Sequence, residues 1–449
     1  MNNSDLYSKT KPIKLFLKAA IPGGISMLVS SLYMVFDSIF VGKFVGTTAF
    51  AALGLAMPLV IINFALADLI GVGSSILISI FLGQGEDKKA NNYFTCATLM
   101  IIMTGILMGL IMFFASPFFM ELMGADGELA KLGVTYIRIY AVFSPLITMM
   151  FAIDNYLRIS GKLKTSMLIN IIQSLGTIIV ESIFILVFKW GIVGAALGAS
   201  LSMLVGVIIG ISLFVSGKLQ LKYVKPKFNK ALILGIIKNG LPAFLTNVSG
   251  RVFSIIMNIM LLKMSGEGAV AVYGILMTVG GIVEQLLYGV LDSLQPAIGY
   301  NYGAKKFDRV KQIEKYCLIT GAIISIAWGI VIYCIPGILA IPFLKDVSLL
   351  GMVKHALRIL SFAYLVKWIS HAIQSFLLAI DRAISAMIIS LALAFFFPVI
   401  LIAVLYPLKL NGLWLNYTVT CVLTAILAIV ILFLLRKKLF VAKGTNSEE

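Results

Sequence analysis

Long apolar stretches broken by short polar ones run along the chain from about residue 15 to residue 435. Each is 20 residues or more, the length a helix needs to cross the roughly 30 Å hydrocarbon layer of a bilayer. The pattern predicts twelve membrane-spanning helices: 15–41, 51–82, 93–118, 133–157, 165–188 and 191–216, then 233–262, 269–299, 313–337, 352–379, 384–406 and 412–435. The short alternating segments that a membrane barrel requires are missing. The longest polar connection, 217–232, carries Lys218, Lys222, Lys225, Lys227 and Lys230. It reads as a linker between two halves of six spans, 1–216 and 233–449. The expected fold is therefore all-α and integral to the membrane.

Composition excludes the soluble alternative. The chain is 60% apolar and 12% charged, against about 25% charged in soluble domains. Its mean hydropathy is +1.04. The net charge of +17 suggests nucleic-acid binding only until the basic residues are placed. With the N-terminus cytoplasmic, the cytoplasmic segments hold 24 lysines and arginines, among them Lys9, Lys11, Lys14, Lys18, the linker lysines, Lys305, Lys306, Arg309, Arg436, Lys437, Lys438 and Lys443. The other side holds 7: Lys43, Lys131, Lys189, Lys263, Lys345, Lys354 and Lys409. This is the positive-inside distribution, so both termini are expected in the cytoplasm, and no nucleic-acid partner is expected. No small-residue cleavage site follows the first apolar run early, so it reads as a retained span. Cys96, Cys317, Cys334 and Cys421 lie far apart in apolar runs, without metal or disulfide spacing. The turn GQGEDKK lacks the Gly-Lys-Ser/Thr ending of a phosphate loop, and no nucleophile elbow or zinc spacing occurs. The chain is expected to be neither an enzyme nor an ATP-driven pump, to need no cofactor, and to work as a monomer.

The halves resemble one another at a spacing near 220 residues. AALG at 51–54 answers AVYG at 271–274, and LGQGEDKKA at 82–90 answers YNYGAKKFD at 300–308. SGKLKTSM answers IDRAISAM, and WGIVGAALG at 190–198 answers NGLWLNYTV at 411–419. At a spacing of 221, Asp37 meets Asn258. Six spans per half preserve orientation, which makes the repeats parallel. Two such bundles around a central cavity form a transporter that can open to either side; a non-transport scaffold needs no such duplication.

A charge within a span is costly unless paired, hydrated or neutralised, so each is a functional candidate. The acids are Asp37, Asp68, Asp154, Glu181, Glu284 and Asp292; the bases are Arg138, Lys238, Arg251, Arg358 and Lys367. Asp154, Arg138, Lys238 and Arg358 stand near enough to span ends for snorkelling or loop contacts. Asp37 and Glu181 lie at one depth, roughly one to two turns short of the outer boundary. They are expected to share an ion-coupling site, with Asn155, Asn170, Gln173 and Thr177 as polar company. Two close carboxylates can trade a proton or, with other oxygens, hold Na⁺; a helix-packing hydrogen bond is the plainer alternative. Asp68, one turn before GVGSS, is a third coupling candidate. In the second half Asn258 cannot titrate. Glu284 and Gln285 lie mid-span, with Asp292 two turns on. Lys367, His371 and Gln374 share one side of the tenth span. A Glu284–Lys367 or Asp292–Lys367 pair lowers the burial cost. Otherwise these side chains line a polar cavity wall, joined in the first half by Asn155, Gln173 and Thr177.

SLYMVFDSIFVG, ALADLIGVGSSILISIFLGQG, YLRISGKLKTSMLINII, FKWGIVGAALGAS and LQPAIGYNYGAKK, in this order across residues 12–440, resemble the multidrug and toxic compound extrusion (MATE) family. The resemblance implies two six-helix lobes forming a V, alternating access, a bacterial cytoplasmic membrane, and export of bulky amphiphilic cations in exchange for H⁺ or Na⁺. The family's first-helix acid matches Asp37. Its fifth-helix LDP-type acid matches Glu181 in VES, with Ser182 for Pro and Thr177 for the usual Asn. Asn258 and Lys367 stand where some members carry second-lobe acids, so no Na⁺ site is expected there. A related branch moves lipid-linked sugars, whose phosphates would call on Arg251 and Lys367; export of such substrates is the alternative function.

Overall fold

A computed structural model of the chain describes residues 3–344, 346–437 and 439; Lys345, Lys438 and Lys443, counted above, lie outside the described residues. Among the described residues nine helices are long and apolar enough to cross a membrane, and one bent pair, Val347–Leu365 with Lys367–Ala379, passes the same test at 44°. Two of the nine, Lys230–Gly303 and Ala383–Leu435, run to 74 and 53 residues, too long for one crossing. The first is broken at Gly266, where φ of 74° and ψ of −169° leave the helical region. The second is broken at the tight turn Tyr406–Leu408, followed by Lys409 with φ of 51°. These breaks yield the twelve spans of the sequence pattern. The first six are Pro12–Phe44, Thr47–Gln84, Asp87–Leu122, Gly127–Ile159, Leu163–Ser182 with the π turn Ile183–Val187, and Gly191–Val215.

The repeat is written in the backbone. Left-handed φ values fall at Gly46 and Gly266, Gly85 and Lys305, Gly161 and Asp381, and Lys189 and Lys409, each pair 220 residues apart. At Gly85 the first helix end closes with Gly85 N–H on Leu82 O and Glu86 N–H on Phe81 O. The same closure recurs with Lys305 N–H on Tyr302 O and Lys306 N–H on Asn301 O, so the backbone motif survives without its glycine. The landmarks also correct the side-chain pairing. At 220 residues the counterpart of Asp37 is the buried Met257, not Asn258.

The bundles meet at the end that carries the N-terminus and the linker. There main chain packs on main chain. A Cβ added at Gly240 would lie 1.7 Å from Leu69 O, at Gly73 2.1 Å from Ile236 O, and at Gly83 2.0 Å from Tyr300 O. Gly23 and Gly289 make a like contact between the first and eighth spans. Small residues are how membrane helices approach closely without a hydrophobic driving force. The short helix Asn3–Lys9 straps the same end: the Tyr7 hydroxyl donates to Arg158 O, while Asn301 Nδ2 and Arg309 donate to Tyr7 O at 3.1 and 3.0 Å. At the opposite end Gly46, Gly54, Gly266 and Gly274 have nothing within 4 Å of an added Cβ. The molecule is a V, closed at the linker end and open at the other.

Gly240→Val should therefore lower the thermal midpoint of the detergent-purified protein by roughly 5 °C or more through overpacking. Gly54→Ala should leave it unchanged or slightly raised. Differential scanning fluorimetry distinguishes the two.

Candidate functional site

In the first bundle, Asp37 from the first span and Glu181 from the fifth converge, and their carboxyls hydrogen-bond. Such a bond exists only if one of the two holds a proton. Glu181 is buried, and its Oε2 has no hydrogen-bond partner among the described residues. Gly198 of the sixth span makes room for it, since a Cβ there would lie 2.4 Å from Glu181 Cγ. The π turn Ile183–Val187 begins two residues after Glu181, a distortion common beside functional groups. Tyr33 hydrogen-bonds Thr177 and lies close to both acids, and Tyr136 of the fourth span faces them as well. Tyr33 stands one turn before Asp37, and Thr177 one turn before Glu181. Each helix thus offers an acid and a hydroxyl at i,i+4 spacing. That spacing is the signal by which Tyr33 could have been found in the sequence; Tyr136 offers none.

The other first-bundle candidates go elsewhere. Asn170 donates to Asp154 Oδ1 and to Ser26 Oγ, each at 2.8 Å. Asp154 also meets Ser166 at 2.5 Å and Arg158 at 2.7 Å. Asp154 is therefore the centre of a buried ion-pair network rather than a loop contact, because Arg158, one turn on, is itself buried at 5% exposure. Asn155 bonds back to Phe151 O of its own helix, and Gln173 is half-buried, its carbonyl accepting from Thr177. Asp68 does not join the Asp37–Glu181 pair. It lies at the seam, where Asn247 of the seventh span donates to it at 3.4 Å.

The second bundle selects between the two pairs considered for Lys367. Lys367 Nζ lies 3.1 Å from Glu284 Oε1 and donates to Tyr417 Oη at 2.5 Å, while the Tyr417 hydroxyl donates to Glu284. Asp292 instead faces His371, with Oδ1 and Nε2 3.6 Å apart. His371 is buried, and Tyr288 packs edge-on against it at 4.3 Å. Gln285 and Asn258 are half-buried. Among the described residues no group of three His, Cys, Asp or Glu side chains could hold a metal ion.

Twelve spans in two bundles around a cleft open at one end, with buried ionisable groups between the helices, make an alternating-access membrane transporter rather than an enzyme. The MatE family model matches residues 22–183 and again 242–404, and the chain belongs to this family. It is 26% identical over 454 residues to the multidrug export protein MepA of Staphylococcus saprophyticus, covering 99% of each chain. Among solved structures it superposes at a TM-score of 0.91, with 23% identity and 98% coverage of each chain, on a MATE protein in complex with MaL6 and on an outward-facing multidrug resistance MATE transporter of the MOP superfamily. The two family matches begin 220 residues apart, the same spacing as the backbone landmarks.

The Lys367–Glu284–Tyr417 triad predicts a test of pairing. Lys367→Met should destabilise the protein by roughly 3 kcal/mol, because it leaves Glu284 charged without its cation. The double change Lys367→Met/Glu284→Gln should recover most of that loss in thermal unfolding.

Proposed function

We propose that this transporter exports lipophilic cations from the cytoplasm in exchange for H⁺, with Asp37 and Glu181 as the coupling pair. The observation that carries this is their hydrogen bond in a pocket walled by Tyr33, Tyr136 and Thr177. A pair that shares a proton can lose it only by separating or by gaining another positive charge. Asp37 lies on the span that also lines the seam through Gly23, so movement of the first span couples proton loss to closure of the other end. The MepA relative is a multidrug exporter by name, and a negatively charged pocket among apolar and aromatic side chains suits amphiphilic cations. The basic linker and N-terminus argue that the closed end faces the cytoplasm. The chain divides as two lobes, 1–216 and 233–449, joined by 217–232, and works as a monomer in the bacterial cytoplasmic membrane.

One observation favours Na⁺ as the second reading: Glu181 Oε2 is buried without a partner, a free ligand for a small hard cation. Export of phosphate-bearing lipids is less well supported, because Lys367 is already neutralised by Glu284.

Uptake of a fluorescent lipophilic cation into inverted vesicles should follow an imposed pH gradient. Asp37→Asn and Glu181→Gln should each remove the gradient-driven part. Uptake driven by Na⁺ alone would transfer the site to Na⁺; flux indifferent to both substitutions would remove the pair from coupling altogether.

A further inference from the structure

The seventh span presents three faces. Met257 and Leu261 are buried in the second bundle's core, with Phe253 and Met260 packed beside them. Val252, Ile255, Ile259 and Leu262 are exposed and apolar, the pattern of a lipid-facing stripe. Between these faces runs a polar stripe, Asn247, Arg251, Ser254 and Asn258, at i, i+4, i+7 and i+11. Asn247 fixes where that stripe points, because it crosses the seam to Asp68 of the other bundle. One turn further toward the open end the bundles have parted, and Gly250 has nothing within 4 Å of an added Cβ. Arg251 stands on the face of Asn247, one helical turn and about 6 Å further toward the open end. It is exposed, and among the described residues no acid forms an ion pair with it. Its recorded neighbour is Tyr273, which Ser254 holds by a hydrogen bond.

A guanidinium stays charged at any working pH and offers a planar fork of donors matched to carboxylate and phosphate. Held unpaired at membrane depth it persists only where water or an anion reaches it. The first bundle contributes carboxyls to the same cleft. We propose that Arg251 is an anion-binding group for the cargo, so that the preferred substrates are zwitterionic amphiphiles. Their ammonium faces the Asp37–Glu181 lobe, and a carboxylate or phosphate is held by Arg251. This rests on the reading of the cleft as the cargo path, and adds a second sign of charge to what that cleft selects.

The test uses the full-length protein in detergent and equilibrium binding, read by fluorescence anisotropy, with no ion gradient. The probes are a rhodamine free acid, which is zwitterionic, and its methyl ester, which is only cationic. Arg251→Gln should weaken the acid about tenfold and the ester less than twofold, as expected for one lost charge-assisted contact. Arg251→Lys should keep most of the acid's affinity. An alkyl carboxylate and an alkyl phosphate of equal chain length should displace the acid from wild type but not from Arg251→Gln, and the stronger competitor names the oxyanion. Equal loss for acid and ester would make Arg251 a structural counter-charge to Asp68 and overturn the proposal, as would no change in either. Asp37→Asn carried alongside keeps the two readings apart, because it removes gradient-driven uptake in vesicles while leaving the acid-to-ester affinity ratio in detergent unaltered.

Discussion

The cost of placing charge where water is scarce organises this molecule. Every buried charge described above has a local answer, and the answers differ in kind. Asp154 is met by Arg158, Ser166 and Asn170. Glu284 is met by a lysine and a tyrosine hydroxyl. Among the described residues Asp37 and Glu181 have no cation beside them and face each other and hydroxyls. The first two solutions are permanent and stiffen the bundle. The third differs in kind, because it needs a shared proton rather than a fixed cation, and it is there that the proposed coupling falls.

The lobes descend from one backbone yet differ in chemistry. Their turns match at 220-residue intervals, but the second lobe has Met257 opposite Asp37 and carries a fixed ammonium in Lys367. A fixed ammonium cannot be exchanged during a cycle. The duplicated architecture thus supplies two halves of one fold, and the carboxyl pair proposed for coupling belongs to the first alone. The bend of 44° just before Lys367 belongs to the same division: it places the ammonium against Glu284 and Tyr417 rather than against Asp292.

Much of this was legible in the residues. The span pattern located all twelve crossings, since length and apolarity are strong signals in a membrane. Equal depth in two helices of like direction permitted a shared site for Asp37 and Glu181, and their carboxyls do meet. What escaped was lateral information. Tyr33, Tyr136 and Tyr417 sit in apolar runs, where a ring reads as core and the hydroxyl's partner lies on another helix. Arg158 falls just outside the span 133–157 of the apolar pattern, whereas the helix runs on to Ile159. Asp292 and Glu284 looked equivalent as partners for Lys367, since a local break in the tenth span leaves no periodic trace. The repeat spacing wandered between 218 and 221 until backbone conformations, rather than side chains, were compared.

The closed end is sealed by carbonyl oxygens lying against glycines, at Gly240 on Leu69, Gly73 on Ile236 and Gly83 on Tyr300. Contacts that close leave no room for a file of water, and their own polar groups are already engaged in helix hydrogen bonds. Any exchanger driven by an ion gradient dissipates that gradient if a continuous water path crosses it even briefly. Sealing by main chain makes leak resistance a property of the fold and independent of the cargo, so the cleft above can change its lining without losing insulation.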